Sequence, residues 1–338
     1  MTYRVGIVGF RGYSGMELVR ILRTHPHAEP VLMEHRSEAA TEVQPLGWRG
    51  PARIPATPEA AREAGLEVVF LATPADVSME LAPGFLAAGI RVVDLSGAFR
   101  LKTVERYERW YREQHTQPAL LEEAVYGLPE FYRDRIRTAR LVANPGCYPT
   151  AANLALRPLV QAGLIDRTHG IVCDAKSGVS GAGRKPSLRT HFCEVTENFS
   201  AYSVLGHRHV PEVLMNSGLE EREFSFTAHL IPIHRGILET IYFRAVEGAA
   251  EQTLLAAWQA AYANEPFVRL YPPGAMPDLR PVQHTNLCLL GVRADAATRR
   301  AVVVVCIDNL GKGAAGQAVQ NMNLMLGLPE AEGLSCEL

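Results

Sequence analysis

No apolar run in the chain approaches the ~20 residues that a membrane-spanning helix needs, so no membrane segment is expected. Neither sign of charge dominates: 34 Lys and Arg against 36 Asp and Glu leave a net charge of −2. That balance excludes the strongly basic surface of a nucleic-acid binder. The six cysteines, at 147, 173, 193, 288, 306 and 336, include no Cys-x-x-Cys pair, which leaves no zinc ribbon and no redox dithiol. Internal repeats and low-complexity linkers are lacking as well. The start, Met1-Thr2-Tyr3-Arg4, leads directly into an apolar strand, so no signal peptide is expected and the cytoplasm is the expected compartment. Thiols are reduced there.

What remains is a soluble globular composition, 47% hydrophobic and 21% charged over 338 residues, long enough for two domains. Strand, Gly-rich turn, helix and strand open the chain: residues 3–8, 9–15, 16–24 and 29–34. Glycines at 9, 12 and 15 let the backbone approach a pyrophosphate, and the helix N-terminus after them offers N–H donors. This is a Rossmann start. At the end of its second strand Glu34 lies where an acid reads the ribose of NAD, whereas the following Arg36, with Ser37, offers a partner for the 2′-phosphate of NADP. We favour NADP. A continuous apolar strand over 66–72, a helix over 75–88 closed by Gly89 and a strand over 90–95 extend the parallel βαβ pattern. Residues 101–114, with Tyr107, Trp110 and Tyr111, read as an amphipathic helix covering the sheet edge.

The organising stretch is Asn144-Pro145-Gly146-Cys147-Tyr148-Pro149-Thr150, between the apolar Leu141-Val142-Ala143 and a helical run. A cysteine on a strand-to-helix turn has its thiolate stabilised by amide N–H groups and the positive end of the helix dipole. Cys147 is therefore the candidate nucleophile, with Thr150 as the expected N-cap. Cys173, Cys288 and Cys306 lie in apolar strands and read as small buried hydrophobes.

Beyond Cys147 the pattern changes. Strands over 170–176, 224–230, 237–244, 287–292 and 301–307 are interrupted by one long helix, 250–264, which predicts a mixed, largely antiparallel sheet. The expected division is 1–146, completed by the C-terminal helical segment 314–338, and 147–313. The segment 206–212 places His207 and His209 about Arg208, before a proline that opens a helix. No partner at ligand spacing supports zinc there, and no metal is expected. Acid–base chemistry beside an anion-binding arginine fits; in an extended segment both rings face one way, and either histidine can serve. Ser177, Gly178, Ser180 and Gly183 before Arg184 and Lys185 read either as an anion-binding nest or as a flexible loop. Residues 308–317 lack the Walker order. Their Asn309 and Gln317 can bind a nicotinamide amide or simply cap the last helix.

Together these stretches resemble the N-acetyl-γ-glutamyl-phosphate reductase family, NADPH enzymes of arginine biosynthesis, over nearly the whole chain. The matching residues are 9–15, Asp94-Leu95-Ser96 with Phe99-Arg100, 144–150, 177–184, 207–212, 234–238 and 308–323. Two departures stand out: Gly97-Ala98 where the family has Ala-Asp, and Phe10-Arg11 within the first glycine turn, which brings an extra cation. The resemblance implies a semialdehyde-dehydrogenase-like fold: a Rossmann-type NADP domain and an α+β catalytic domain that assembles as a homo-oligomer, dimer or tetramer. It implies an acyl-phosphate substrate and a Cys147 thioester, with His207 or His209 moving protons. It assigns Gly9, Arg11, Gly12, Tyr13, Ser14, Gly15, Arg36, Ser37, Ser177, Gly178, Asn309, Lys312 and Gly313 to the cofactor. Arg100, Asn144, Ser180, Arg184 and Arg208 fall to the substrate. The rival readings are the aminoadipyl-phosphate reductase of lysine biosynthesis, an aspartate-semialdehyde dehydrogenase and a catalytically silent NADP-binding regulator.

Overall fold

The computed structural model describes residues 2–35 and 50–336. The chain forms two compact units. The first comprises Met1–Val104, His115–Asn144 and Ala318–Leu334, and the second Glu105–Gln114, Pro145–Gln317 and Ser335–Leu338.

Among the described residues the first unit holds seven strands: β1 (Tyr3–Val8), β2 (Ala28–Glu34), β3 (Arg53–Pro55), β4 (Leu66–Leu71), β5 (Arg91–Asp94), β6 (Val125–Tyr126) and β7 (Leu141–Ala143). Their order is β3-β2-β1-β4-β5-β7-β6, and every pairing is parallel. Leading with β3-β2-β1-β4-β5, this is the doubly wound arrangement that the opening strand-turn-helix pattern predicts. Val68, Val69, Phe70 and Leu71 are all fully buried, as a strand covered on both faces must be. Strands β3 and β6, of three and two residues, are too short to show a period.

The second unit holds β8 (Ile171–Gly178), β9 (Ser200–Tyr202), β10 (Phe224–Ile231), β11 (Ile237–Arg244), β12 (Val268–Leu270), β13 (Cys288–Asp295) and β14 (Arg300–Ile307). The order is β12-β13-β14-β11-β8-β10-β9. Two pairings are parallel, β10 with β8 and β12 with β13; the other four are antiparallel. Here burial alternates along the strands: Phe224, Phe226, Ala228 and Leu230 point inward and the residues between them do not. One face is thus covered and the other open, the period-2 pattern of such sheets. The covering helices are Cys147–Gln161 and Glu251–Tyr262. Trp258 is fully buried, and its Nε1 donates to the Ala155 carbonyl at 2.9 Å, while Tyr262 donates to Leu154 at 2.6 Å.

Two expectations change. The helix expected over 101–114 runs Val104–Tyr111, and residues 105–114 count with the second unit. There Arg109 pairs with Glu221 at 2.8 Å, and Tyr111 lies 5.9 Å below the Arg208 guanidinium. Thr150 is not the N-cap. The Cys147 helix begins earlier, with Gly146 as its cap, and Thr150 sits in the first turn, donating to the Gly146 carbonyl at 3.0 Å. Pro149, in the same turn, lacks only an N–H that would have no helical partner there.

Because Trp258 joins the two covering helices, its loss should be felt by the whole second unit. Trp258→Ala should lower the unfolding free energy by about 3–5 kcal/mol, and Trp258→Phe by less, as measured by urea denaturation.

Candidate active site

In the first unit, β1 ends at Val8 and Gly9 turns the chain. Gly9 has φ +80°, and a Cβ there would lie 2.2 Å from the Ala72 carbonyl oxygen, so glycine alone fits. The Gly12 N–H closes the turn on the Gly9 carbonyl at 3.0 Å. Helix Tyr13–Leu22 then starts from Gly12 with no side chain capping it, which leaves its first amides available to an anion. A Cβ on Gly12 would meet only the Gly9 carbonyl, at 3.4 Å, whereas one on Gly15 would strike that oxygen at 2.3 Å. Gly15 lets the helix close on the turn, and Gly12 keeps the approach open. A cradle of this kind fits a dinucleotide pyrophosphate. Arg11, Tyr13 and Ser14 lie on the same turn; Arg36 and Ser37 lie outside the described residues.

Also in the first unit, Arg100 and Asn144 are buried. Arg100 Nε donates to the Asn144 carbonyl at 2.8 Å and Nη2 to the Leu95 carbonyl at 2.9 Å. Asn144 Oδ1 accepts from Asn321 at 3.0 Å. These bonds tie the ends of β5 and β7 together. Asp94, fully buried, accepts from the Ser96 N–H at 3.1 Å and from Ser96 Oγ at 2.8 Å. Burial raises its carboxyl above the usual range, with hydrogen bonds from Ser78 and Ser96 and the Arg100 charge opposing.

In the second unit, Cys147 is the first residue of its helix and is partly exposed. Three neighbours fix its turn. The Gly146 N–H donates to Glu212 Oε2 at 2.9 Å, and Glu212 is fully buried. A Cβ on Gly146 would lie 2.6 Å from His209 Nε2, so the imidazole packs on the turn where a side chain would stand. A Cβ on Gly313 would lie 2.8 Å from Cys147 Cβ, so the segment Gly311–Ala315 closes on the cysteine itself. His207 and His209 have ring centroids 4.8 Å apart. The segment carrying them is a turn and not an extended strand, yet both rings are buried while Arg208 between them is exposed. The Tyr148 ring meets both edge-on, at 5.5 and 6.0 Å.

The two histidines are not equivalent. His207 Nδ1 accepts the His209 N–H at 3.2 Å, and burial, helped by Arg208, pushes its pKa down to about 4. Tyr148 and Tyr202 share a hydroxyl–hydroxyl bond of 3.1 Å. Burial raises both phenols, Tyr202 up to about 12, and charge on Cys147 adds to each. They stay protonated near a thiolate.

Other predicted residues of the second unit make the following contacts. Asn309 Oδ1 accepts the Gly236 N–H at 2.7 Å and its Nδ2 donates to Ser180 Oγ at 2.9 Å. Lys312 is fully buried, with Nζ 5.5 Å from the Phe267 ring centre. Ser177 donates to the Gly178 carbonyl at 3.0 Å. Gly178 carries no side chain because the Arg235 backbone is in the way: a Cβ would lie 2.8 Å from the Arg235 nitrogen. Gln317 is buried and Arg184 exposed. Among the described residues no group of three or more His, Cys, Asp or Glu is placed to hold a metal, and no helix is long and apolar enough to cross a membrane. Sequence reasoning gave no role to Glu212, Tyr148 or Tyr202. The spacing of Glu212 three residues after His209, one helical turn on, was the available signal for the first; nothing local marked Tyr202.

Residues 4–139 match the semialdehyde dehydrogenase NAD binding domain and residues 147–309 the semialdehyde dehydrogenase dimerisation domain. Over 99% of its length the chain is 52% identical to the N-acetyl-gamma-glutamyl-phosphate reductase of Symbiobacterium thermophilum, covering 98% of that protein. The chain belongs to the N-acetyl-gamma-glutamyl-phosphate reductase family. The reductases of Nitrosomonas eutropha, 46% identical over 98% of this chain and 97% of theirs, and Ectopseudomonas mendocina, 47% over 98% of each, are further relatives. Among solved structures, aspartate semialdehyde dehydrogenase II from Vibrio cholerae, complexed with ASA, superposes with a TM-score of 0.73 at 19% identity, over 97% of this chain and 99% of that one. The Candida albicans aspartate semialdehyde dehydrogenase with NADP gives 0.68 at 17%, over 96% and 99%. At that identity the likeness is one of fold.

The burial of His207 makes the stability of the chain depend on pH. Between its unfolded pKa near 6.5 and its folded value of about 4, the unfolded chain binds more protons, so this contribution is full above the unfolded value and is lost as pH falls through the window. The loss totals about 3 kcal/mol. Urea unfolding between pH 7.5 and pH 4 should show the wild type losing that much more than His207→Gln; equal losses would assign the acid sensitivity elsewhere.

Proposed function

We propose that the chain reduces N-acetyl-L-glutamyl 5-phosphate to N-acetyl-L-glutamate 5-semialdehyde, releasing phosphate, in arginine biosynthesis, with NADPH as reductant. The substrate assignment is carried by the full-length similarity to reductases of that name. The chemistry is supported by Cys147, a partly exposed cysteine at the first position of a helix, with a histidine packed on its turn.

In this reading the Cys147 thiol gives its proton to a histidine, and the thiolate attacks the acyl carbonyl. The carbon–oxygen bond to phosphate breaks and a thioester on Cys147 forms. The first amides of the Cys147 helix are the donors nearest the developing oxyanion. NADPH, held by Gly9, Gly12, Gly15 and their neighbours, supplies the hydride when bound. Cys147 then leaves the reduced carbon as thiolate, the aldehyde is released, and the proton returns from the histidine. Of the two histidines His209 is the better acceptor. Its Nε2 lies against Gly146, whereas His207 uses Nδ1 to accept a backbone N–H and is a weak base. We assign His207 to positioning His209. Arg208 and Arg184, both exposed, are the arginines proposed for the substrate's anionic groups; Arg100 holds backbone carbonyls.

The functional molecule is proposed to be a homo-oligomer built on the open face of the mixed sheet. That face presents Val172 and Tyr242, paired across strands and nearly half exposed at 46% and 45%. The segment following β8 in the chain exposes Leu188 at 78% and Phe192 at 75%.

Cys147→Ser should keep cofactor binding and lose at least ~10³-fold in kcat. Mass spectrometry of wild type mixed with substrate in the absence of reductant should show an acyl adduct on Cys147. A serine variant with full activity would remove the nucleophile assignment. For the chain-length question, kcat/KM for the glutamyl phosphate should exceed that for the one-carbon-longer aminoadipyl phosphate by roughly 10–200-fold, the worth of one misfitted methylene.

A further inference from the structure

The end of β2 and the turn after β1 are neighbours, because Val8 and Met33 pair in parallel register. Gly9, Phe10 and Arg11 therefore leave the carboxyl edge of the sheet beside Glu34. In a dinucleotide fold a carboxylate at this point ordinarily takes the ribose hydroxyls, and an arginine accommodates a 2′-phosphate. Glu34 is engaged otherwise. Arg11 Nη2 stands 3.2 Å from Glu34 Oε1, and Arg53 Nη1 is 3.6 Å from the same oxygen. Arg53 arrives from β3, whose parallel register with β2 places Pro55 opposite Glu34. The Phe10 ring, buried between them, has the Arg11 and Arg53 guanidinium carbons 4.6 and 5.6 Å from its centroid. Two cations from separate elements thus converge on one carboxylate oxygen, anchored by one aromatic ring. The local sum is one positive charge in excess, and all three charged side chains are partly open to solvent, at 23%, 28% and 39% exposure.

We propose that Arg11 and Arg53 form a clamp for the 2′-phosphate of the cofactor, with Glu34 serving as their counter-ion and not as the reader of a ribose hydroxyl. The inference rests on the NADP reading above and deepens it. A phosphate carries about −1.5 to −2 charges at neutral pH and three acceptor oxygens. It can therefore draw both guanidiniums from a single carboxylate, and a guanidinium meets it with two parallel N–H donors. A dinucleotide without the phosphate offers nothing to replace the Glu34 contact. It meets a carboxylate whose Oε1 is already engaged by two cations. The clamp therefore discriminates twice, by attracting the phosphorylated ribose and by withholding the acid that the plain ribose requires.

Calorimetric titration of the full chain with NADP+ and NAD+, and with the fragments 2′,5′-ADP and 5′-AMP, tests the clamp without any turnover. Wild type should bind NADP+ and 2′,5′-ADP more tightly than their unphosphorylated counterparts. Arg11→Ala and Arg53→Ala should each weaken the phosphorylated ligands by about tenfold or more and leave NAD+ and 5′-AMP unchanged or tighter. Arg11→Lys, which keeps the charge and loses the paired donors, should fall between wild type and Arg11→Ala, and it serves as the folded control. Glu34→Gln should leave NADP+ binding as tight or tighter. Equal losses for both ligand classes would make the arginines general anion attractors and overturn the clamp, as would an unchanged NADP+ affinity in both alanine variants. A wild type without preference for NADP+ would instead overturn the cofactor reading on which the clamp rests.

Discussion

A buried carboxylate holds the turn that carries Cys147. The Gly146 N–H is one of the donors that a helix start leaves without a helical partner, and Glu212 Oε2 satisfies it at 2.9 Å. Glu212 lies in the first turn of its own helix, Val210–Ser217, so one carboxyl group stands at the N-terminal ends of two helices. A buried polar group is tolerated where it is hydrogen-bonded. The contact therefore ties the beginning of the Cys147 helix to the segment bearing both histidines. Gly146 leaves room for the His209 ring and Gly313 for Cys147 itself. The imidazole packs on the turn before Cys147, and Gly311–Ala315 closes on the cysteine, because two side chains are missing.

The nucleotide cradle of the first unit works on the opposite principle. The turn after β1 is built to leave donors unsatisfied: its helix starts from a glycine with no side-chain cap, and the space over Gly12 is open. The two sheets suit these tasks. At the centre of the first, Val68 to Leu71 are buried on both faces, and such folds bind ligands at the strand ends. The second sheet alternates buried and exposed residues. It covers one face with the Cys147 helix and leaves the other open, in a segment that matches a dimerisation domain.

The residues placed in the polar network are not all chemical. Asn309 joins Gly236 to Ser180, and Arg100 joins Leu95 to Asn144. Each satisfies buried backbone or hydroxyl groups whose loss would be costly.

The sequence by itself determined whatever depends on short-range chemistry. The glycines at 9, 12 and 15 between a strand and a helix, the apolar run 68–71, the alternation of β10, and Cys147 on a Gly/Pro turn are each set by residues within a few positions of one another, where backbone sterics and side-chain period act. Only the tertiary structure decided the rest. The Glu212–Gly146 bond joins residues 66 apart, and the Asn309–Ser180 bond joins residues 129 apart. Arg53 reaches Glu34 through the pairing of β3, a strand of three residues with no readable period. The lowered pKa of His207 follows from burial beside Arg208, and its ring nitrogen accepts the His209 N–H; the burial has no local signature. Contacts of this kind have no period along the chain, because they arise only when separate elements pack.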